Sequence, residues 1–188
     1  MKALLKQIIF AFLPCIHFFL CFFFDKKYLR GKHFDKNLNG YIFSLKSLWV
    51  KNILRLNKPM PFPTGLTCLI SNPLNIHFHP DDLNNFQSPG TYFQNFNAQI
   101  YIGKGSYIAP NVGIITANHD LADLDAHMDG SDVIIGEKCW IGMNSVILPG
   151  VELGNRTIVA AGTVVTKSFK QGNIVLGGVP AKIIKEIN

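Results

Sequence analysis

The chain has 188 residues, 48% of them hydrophobic, with a net charge of +6 and four cysteines. It is long enough for one sizeable core and too apolar for a disordered chain. Cys15, Cys21, Cys68 and Cys139 form no CxxC pair and no Cys/His cluster at zinc spacing, which excludes a disulfide-stapled scaffold and a structural zinc module.

Charge is placed unevenly. Residues 1–60 carry 11 Lys/Arg against 2 Asp, and the remainder 7 against 10 Asp/Glu. No nucleic-acid motif accompanies the basic front half, so it points to anionic lipid and not to nucleic acid; a solvated surface is the plain alternative. From Ile8 to Phe24 the chain is apolar except at Pro14 and His17. As a helix this run covers about 26 Å, near the lower limit for crossing a bilayer. It predicts an N-terminal apolar helix that spans or, through Pro14, dips and returns, with a buried core helix as the other option. Lys26, Lys27, Arg30, Lys32 and Lys36 outnumber Lys2 and Lys6, which puts the following chain on the cytoplasmic face of the membrane. The run ends in Phe22-Phe23-Phe24-Asp25 with no small-residue cleavage site, against a signal peptide.

Residues 41–56 place Ile42, Leu45, Trp49, Ile53 and Leu56 at helical spacing, with Lys46, Lys51 and Arg55 among them. One apolar face serves an interfacial helix and a helix packed on its own domain equally well. Pro59, Pro61 and Pro63 end it and mark a linker. The expected division is a membrane-associating helical segment over residues 1–60 and a second domain over residues 61–188.

From Phe96 the sequence falls into hexads: FNAQIY, IGKGSY, IAPNVG, IITANH and, after an interruption, IGEKCW, IGMNSV, ILPGVE, LGNRTI, VAAGTV and VTKSFK. Nine of the ten lead residues are branched aliphatics, and position five is mostly small or β-branched. A helix, with period 3.6, cannot hold a six-residue repeat on one face, whereas six is even and keeps the same side of a strand inward. Short strands turning every six residues make an all-β solenoid, a parallel β-helix. Spacing alone does not give its hand.

These hexads, with IIGEKCWIGMNSVILPGVELG, VAAGTVVTKSF and GGVPAKIIKEI, resemble the hexapeptide-repeat acyltransferases, most closely the branch of maltose, galactoside and polysaccharide O-acetyltransferases. The resemblance covers residues 96–187 and runs more loosely back to about residue 70. It implies a left-handed β-helix, acetyl-CoA as co-substrate without a metal, a saccharide acceptor and a homotrimer with sites between subunits. GGVPAKIIKEI is expected to cover the last edge and begin a short C-terminal helix.

The interruption is the chemical clue. Ile114 to Ile135 is 21 residues, so the coil resumes in register and residues 120–132 can leave it as an arm. His119 occupies the last hexad position before that arm. On spacing alone it is either a structural histidine or a base, since imidazole titrates near neutrality. Asp120 and Asn118 are candidates to orient its ring, and His127 either lines an acceptor pocket or solvates the arm. No GxSxG elbow exists, and Cys139 sits at a small inward position, so direct transfer in a ternary complex is preferred to a covalent route.

By resemblance, His119 is the catalytic base, a backbone N–H at the Gly142-Met143 turn stabilises the oxyanion, and Trp140 walls the reacting groups. Ala161, Gly162, Thr166, Lys167, Lys182 and Lys185 are implied in holding CoA. Asn95 or Asn97 is implied on the acceptor side, where Asp120 and His127 are candidates by their place in the arm alone. The alternatives are an amino-sugar N-acetyltransferase, a γ-type carbonic anhydrase with zinc on three histidines, and an inactive solenoid scaffold.

Overall fold

The computed structural model describes residues 2–187, the side chains of the first ten residues excepted. It contains two compact units, Met1–Leu66 and Thr67–Asn188.

Unit 1 is helical: α1 (Lys2–Leu20), α2 (Lys32–Asp35) and α3 (Asn39–Ser47), the last continued by a π-helical turn, Leu48–Ile53. The expectation placed on the Lys2 and Lys6 side chains lies outside the described residues. Leu20, Phe24, Tyr28, Leu29, Phe34 and Phe62 are buried. Tyr28 meets Phe62 and Phe34 meets Tyr41 edge-on, at 5.0 and 5.1 Å between ring centroids. The proline stretch is not a free linker. Fixed φ angles hold it extended, Met60 and Phe62 between the prolines are buried, and the Asp25 N–H donates to the Pro61 carbonyl at 2.7 Å. The boundary therefore falls after Leu66. Among the described residues no helix is long and apolar enough to cross a membrane.

Unit 2 is a three-sided parallel coil. Its strands are β1 (Leu69–Ile70), β2 (Ile76–His77), β3 (Tyr92–Gln94), β4 (Ile100–Ile102), β5 (Tyr107–Ile108), β6 (Gly113–Ile115) and β7 (Val133–Ile135). β8 (Trp140–Ile141), β9 (Val146–Ile147), β10 (Glu152–Leu153), β11 (Ile158–Val159), β12 (Val164–Val165), β13 (Ile174–Gly177) and β14 (Lys182–Glu186) follow. They form three sheets in the orders β1-β3-β6-β9-β12, β10-β7-β4-β2 and β14-β13-β11-β8-β5, parallel except for the β13–β14 pair.

The hexad lead residues stack in buried columns. Phe93, Ile114, Ile147 and Val165 lie on one side, Ile102, Ile135 and Leu153 on the second, and Ile108, Ile141, Val159 and Leu176 on the third. Position five fills the inside of each corner: the Ser106 hydroxyl donates to the Gly136 carbonyl at 2.7 Å and accepts the Cys139 N–H at 2.9 Å. Position four is left-handed, at φ 57° in Asn111 and 59° in Asn144, a conformation asparagine tolerates. Position two is often glycine because coils touch there; a Cβ on Gly154 would lie 2.3 Å from the Lys170 carbonyl oxygen.

Three features depart from the hexad reading. Phe96 is not a lead residue: Phe93 pairs with Ile114, and the corner that follows is longer than one hexad allows, so Phe96 sits on the corner, half-buried. In the first coil a 3-10 segment, Pro80–Gln87, replaces a strand on the third side. The buried Asp82 and Asn85 take up the open backbone of β5 there, accepting from the Gly105 N–H at 2.8 Å and the Ile108 N–H at 3.0 Å. The expected C-terminal helix is instead β14, antiparallel to β13. Gly178, at φ 99°, lets the chain reverse; β-branched Ile183 and Ile184 favour a strand, and the unpaired edge of β13 supplies its hydrogen bonds.

Candidate active site

The arm leaves the coil after Thr116, where Gln94 of β3 braces it. Its Oε1 accepts the N–H groups of Thr116 and Ala117 at 3.0 and 2.9 Å, and its Nε2 donates to the Ala117 carbonyl at 2.8 Å. Sequence reasoning missed Gln94, because nothing in a hexad marks a side chain that bonds the backbone of the next coil. The Ser131 N–H, donating to the Thr116 carbonyl at 2.8 Å, closes the root from the other strand. Gln94→Ala is expected to loosen only this root, by about 1–3 kcal/mol for the unpaired groups. The check is faster amide hydrogen exchange at Thr116, Ala117 and the arm, with the exchange of the remaining coils unchanged.

Within the arm, Met128 N–H donates to the Asn118 carbonyl and Asp120 N–H to the Ala126 carbonyl, at 2.9 and 3.0 Å. His119 and His127 face each other between these rungs as an antiparallel bridge, their rings 4.3 Å apart between centroids. The Phe96 ring meets His127 edge-on at 5.0 Å. Both imidazoles are exposed.

His119 Nδ1 is 2.8 Å from the Leu124 carbonyl oxygen. A carbonyl only accepts, so Nδ1 carries a proton, and in the neutral ring Nε2 is the nitrogen with the lone pair. The ring is thus oriented by the arm's own backbone, not by either expected partner. Asp120 is engaged locally, its Oδ1 accepting the Ala122 N–H at 2.7 Å, and Asn118 uses its backbone carbonyl for the arm.

Two expected site residues are corrected. Asn95 is fully buried and bonds the Asn72 backbone twice, at 3.0 and 2.7 Å, so it cannot reach an acceptor. Asn97 is exposed and lies against the arm's exit, where a Cβ on Gly130 would come within 3.0 Å of its Cβ. The Gly142 N–H donates to the Val159 carbonyl at 2.8 Å and is spent within the coil. The neighbouring Met143 N–H has no acceptor among the described residues, which leaves it as the donor of that turn.

Trp140 is exposed on the outer face of its sheet, between Tyr107 and Ile158 on adjacent strands. Met143, Ala161 and Gly162 share one corner of the coil, joined by the Gly162 N–H donating to the Met143 carbonyl at 2.8 Å. His119, Thr166 and Lys167 lie on a different corner, across the β6–β9–β12 sheet. Lys182 and Lys185 stand on the edge strand β14. One chain does not bring all of these together.

Cys139 is buried, with its Sγ directed at the Gly154 carbonyl at 3.3 Å. Burial pushes the thiol above its ordinary value of 9.0, against the lowering effect of its hydrogen bonds. It stays protonated at neutral pH and is no nucleophile. Among the described residues no group of three His, Cys, Asp or Glu side chains is placed to hold a metal ion.

The bacterial transferase hexapeptide family, defined on six repeats, matches residues 132–167. A galactoside O-acetyltransferase of Lactococcus lactis is 31% identical over 152 residues, covering 72% of this chain and 68% of the relative. The galactoside O-acetyltransferase of Escherichia coli is 36% identical over 106 residues, 52% of each chain. The crystal structure of a maltose O-acetyltransferase from Clostridium difficile 630 aligns with a TM-score of 0.48 at 30% identity, over 64% of this chain and 66% of that one. The chain spans 50% to 60% of the length of the first curated relatives it matches. With the coil, its corners and the arm reproducing the repeat, and a relative matched over more than two thirds of both chains, this protein belongs to the hexapeptide-repeat acyltransferase family.

Proposed function

We propose that the chain transfers an acetyl group from acetyl-CoA to a saccharide hydroxyl, in surface polysaccharide or glycan assembly at the cytoplasmic face of a membrane. His119 is the general base, on a left-handed coil that works as a homotrimer. The observation that carries this reading is the Nδ1–H bond to Leu124, which leaves Nε2 of the neutral ring as an oriented, exposed proton acceptor next to the His127 ring, itself packed on Phe96. Relatives named for galactosides support a sugar as acceptor.

In this reading the acceptor hydroxyl, held near Asn97 and His127, attacks the thioester carbonyl while Nε2 takes its proton. The C–S bond then breaks, and the proton passes to the CoA sulfur. Charge developing on the carbonyl oxygen is met by the Met143 N–H of a neighbouring copy, because that corner and the His119 corner are separated in one chain. Ala161 lines the same corner for the pantetheine arm. The exposed Thr166, Lys167, Lys182 and Lys185 meet the phosphates and adenine, and Trp140 closes the side of the acyl site.

The direct experiment is acceptor-dependent thiol release from acetyl-CoA across a panel of saccharides, with the product identified by the added acetyl mass. Release without any acceptor dependence overturns the saccharide reading. A second test concerns the shared site. Proline already occupies position three of two hexads, at Pro110 and Pro149, so Met143→Pro removes the N–H without opposing the coil. It is expected to lower kcat by roughly 10²- to 10³-fold. Co-assembly of Met143→Pro with His119→Ala chains should restore about a quarter of the sites, since a shared interface can draw each intact part from a different copy. No recovery in verified mixed oligomers places the whole site in one chain.

A further inference from the structure

Two helices of unit 1 turn large apolar side chains outward. On α3 and its π-helical turn, Ser44, Ser47 and Lys51 are buried while Ile42, Leu45, Trp49 and Ile53 are exposed. The Ser44 hydroxyl is buried with no hydrogen-bond partner among the described residues. On α1, Leu13, Ile16, His17 and Leu20 follow the i, i+3, i+4, i+7 pattern of a packed face. The rest of its described surface is no more polar: Phe12, Phe18 and Phe19 are exposed, as are Phe22 and Phe23 in the turn just beyond the helix. A helical stretch apolar on every side, as this one is from Ala11 on apart from His17, suits an apolar medium.

Cations rim this surface. A cavity of about 420 Å³ just beyond α1 is lined by His17, Lys26, Lys27, Leu29, Arg30 and Asp35. Its one carboxylate, Asp35, is engaged by the Gly31 N–H at 2.9 Å. A second cavity sets Arg55 and Lys58 beside Phe23. Basic heads next to exposed aromatic rings match a leaflet in which phosphates overlie hydrocarbon, with tryptophan at the boundary. A second copy of the chain would bring the same cations against each other and is disfavoured by like charge.

We infer that unit 1 docks on an anionic phospholipid leaflet: the exposed Phe and Trp49 side chains enter the acyl boundary, and the Lys26–Lys27–Arg30 cavity takes a lipid phosphate. This rests on the membrane placement proposed above and is independent of acyl transfer. The test uses the full chain with Trp140→Phe, so that Trp49 is the single tryptophan. Its emission is followed on addition of phosphatidylcholine vesicles with or without 30 mol% phosphatidylglycerol, and with bromine-labelled acyl chains. The expected result is a blue shift and quenching of Trp49, with binding at least 10-fold tighter to the anionic vesicles. Lys26→Glu/Lys27→Glu/Arg30→Glu should weaken that binding by roughly 30-fold or more. Equal binding to both vesicle types, or no loss in the triple variant, overturns the phosphate site and leaves the membrane placement standing. No shift with either vesicle overturns both, and a Trp49 environment that instead follows protein concentration without lipid assigns the face to self-association.

Discussion

His119→Ala is expected to lower acceptor-dependent acetyl transfer by roughly 10²- to 10⁴-fold, about 3–5 kcal/mol of transition-state stabilisation. The fold should survive, because the ring is exposed and its bond to the Leu124 carbonyl, the one it makes among the described residues, leaves an acceptor that water can reach. The change should appear in kcat, with the KM for acetyl-CoA nearly constant, since Nε2 is proposed to act on the proton of the acceptor hydroxyl and not to bind the cofactor. His127→Ala makes the comparison: it removes a ring tilted against His119 and near the proposed acceptor but not the base itself, and a loss of about 10-fold or less is expected. The measurement is thiol release by purified chain, with circular dichroism to verify the coil. Activity unchanged in His119→Ala assigns the base to another group.

The largest effect on stability is expected at Ile141. It is fully buried at the middle of a four-residue column, between Ile108 and Val159. The coils above and below are fixed by ladder hydrogen bonds and by glycines with no room to approach further, so they cannot collapse into a void. Ile141→Ala should therefore cost about 2–5 kcal/mol, at the upper part of that range if the column stays rigid. Ile183→Ala, on the exposed strand β14, should cost about 0.5 kcal/mol or less. Denaturant melts of the two variants, compared at constant m-value, check the contrast. Equal losses would mean that the column does not carry the coil's cooperativity.

Much of the coil was legible because one physical constraint recurs at every turn. An inward aliphatic and a small or β-branched corner residue return every six positions from Ile135 to Val165, whereas the left-handed position four is filled by Lys138 and Arg156 as well as by Asn144, Gly150 and Gly162 and so carries little signal. The frame failed at Phe96 because an aromatic residue in the right place in the sequence packs on a histidine instead of entering the column. The C-terminal helix failed because Ile183 and Ile184 have a partner edge that local sequence does not reveal. His119 stood out through its place before the arm, but its orienting carbonyl did not, since any residue at position 124 supplies one. Asn95 and Asn97 are chemically identical and two positions apart; only burial separates the structural one from the exposed one. In unit 1 the apolar spacing of residues 42–53 was visible, yet helical periodicity does not say which face turns inward, and here the serines do.

The outermost strand, β14, has a second consequence. It is five residues long, exposed throughout, and sets Lys182, Lys185 and Glu186 around the Ile183-Ile184 pair. A naked edge of a stacked parallel coil is a template on which further strands can polymerise, and charged residues on a short terminal strand are what deter that growth. The same lysines proposed to meet CoA phosphates are therefore also gatekeepers of solubility. A variant that neutralises both, made to weaken donor affinity, should be read for precipitation as well as for turnover.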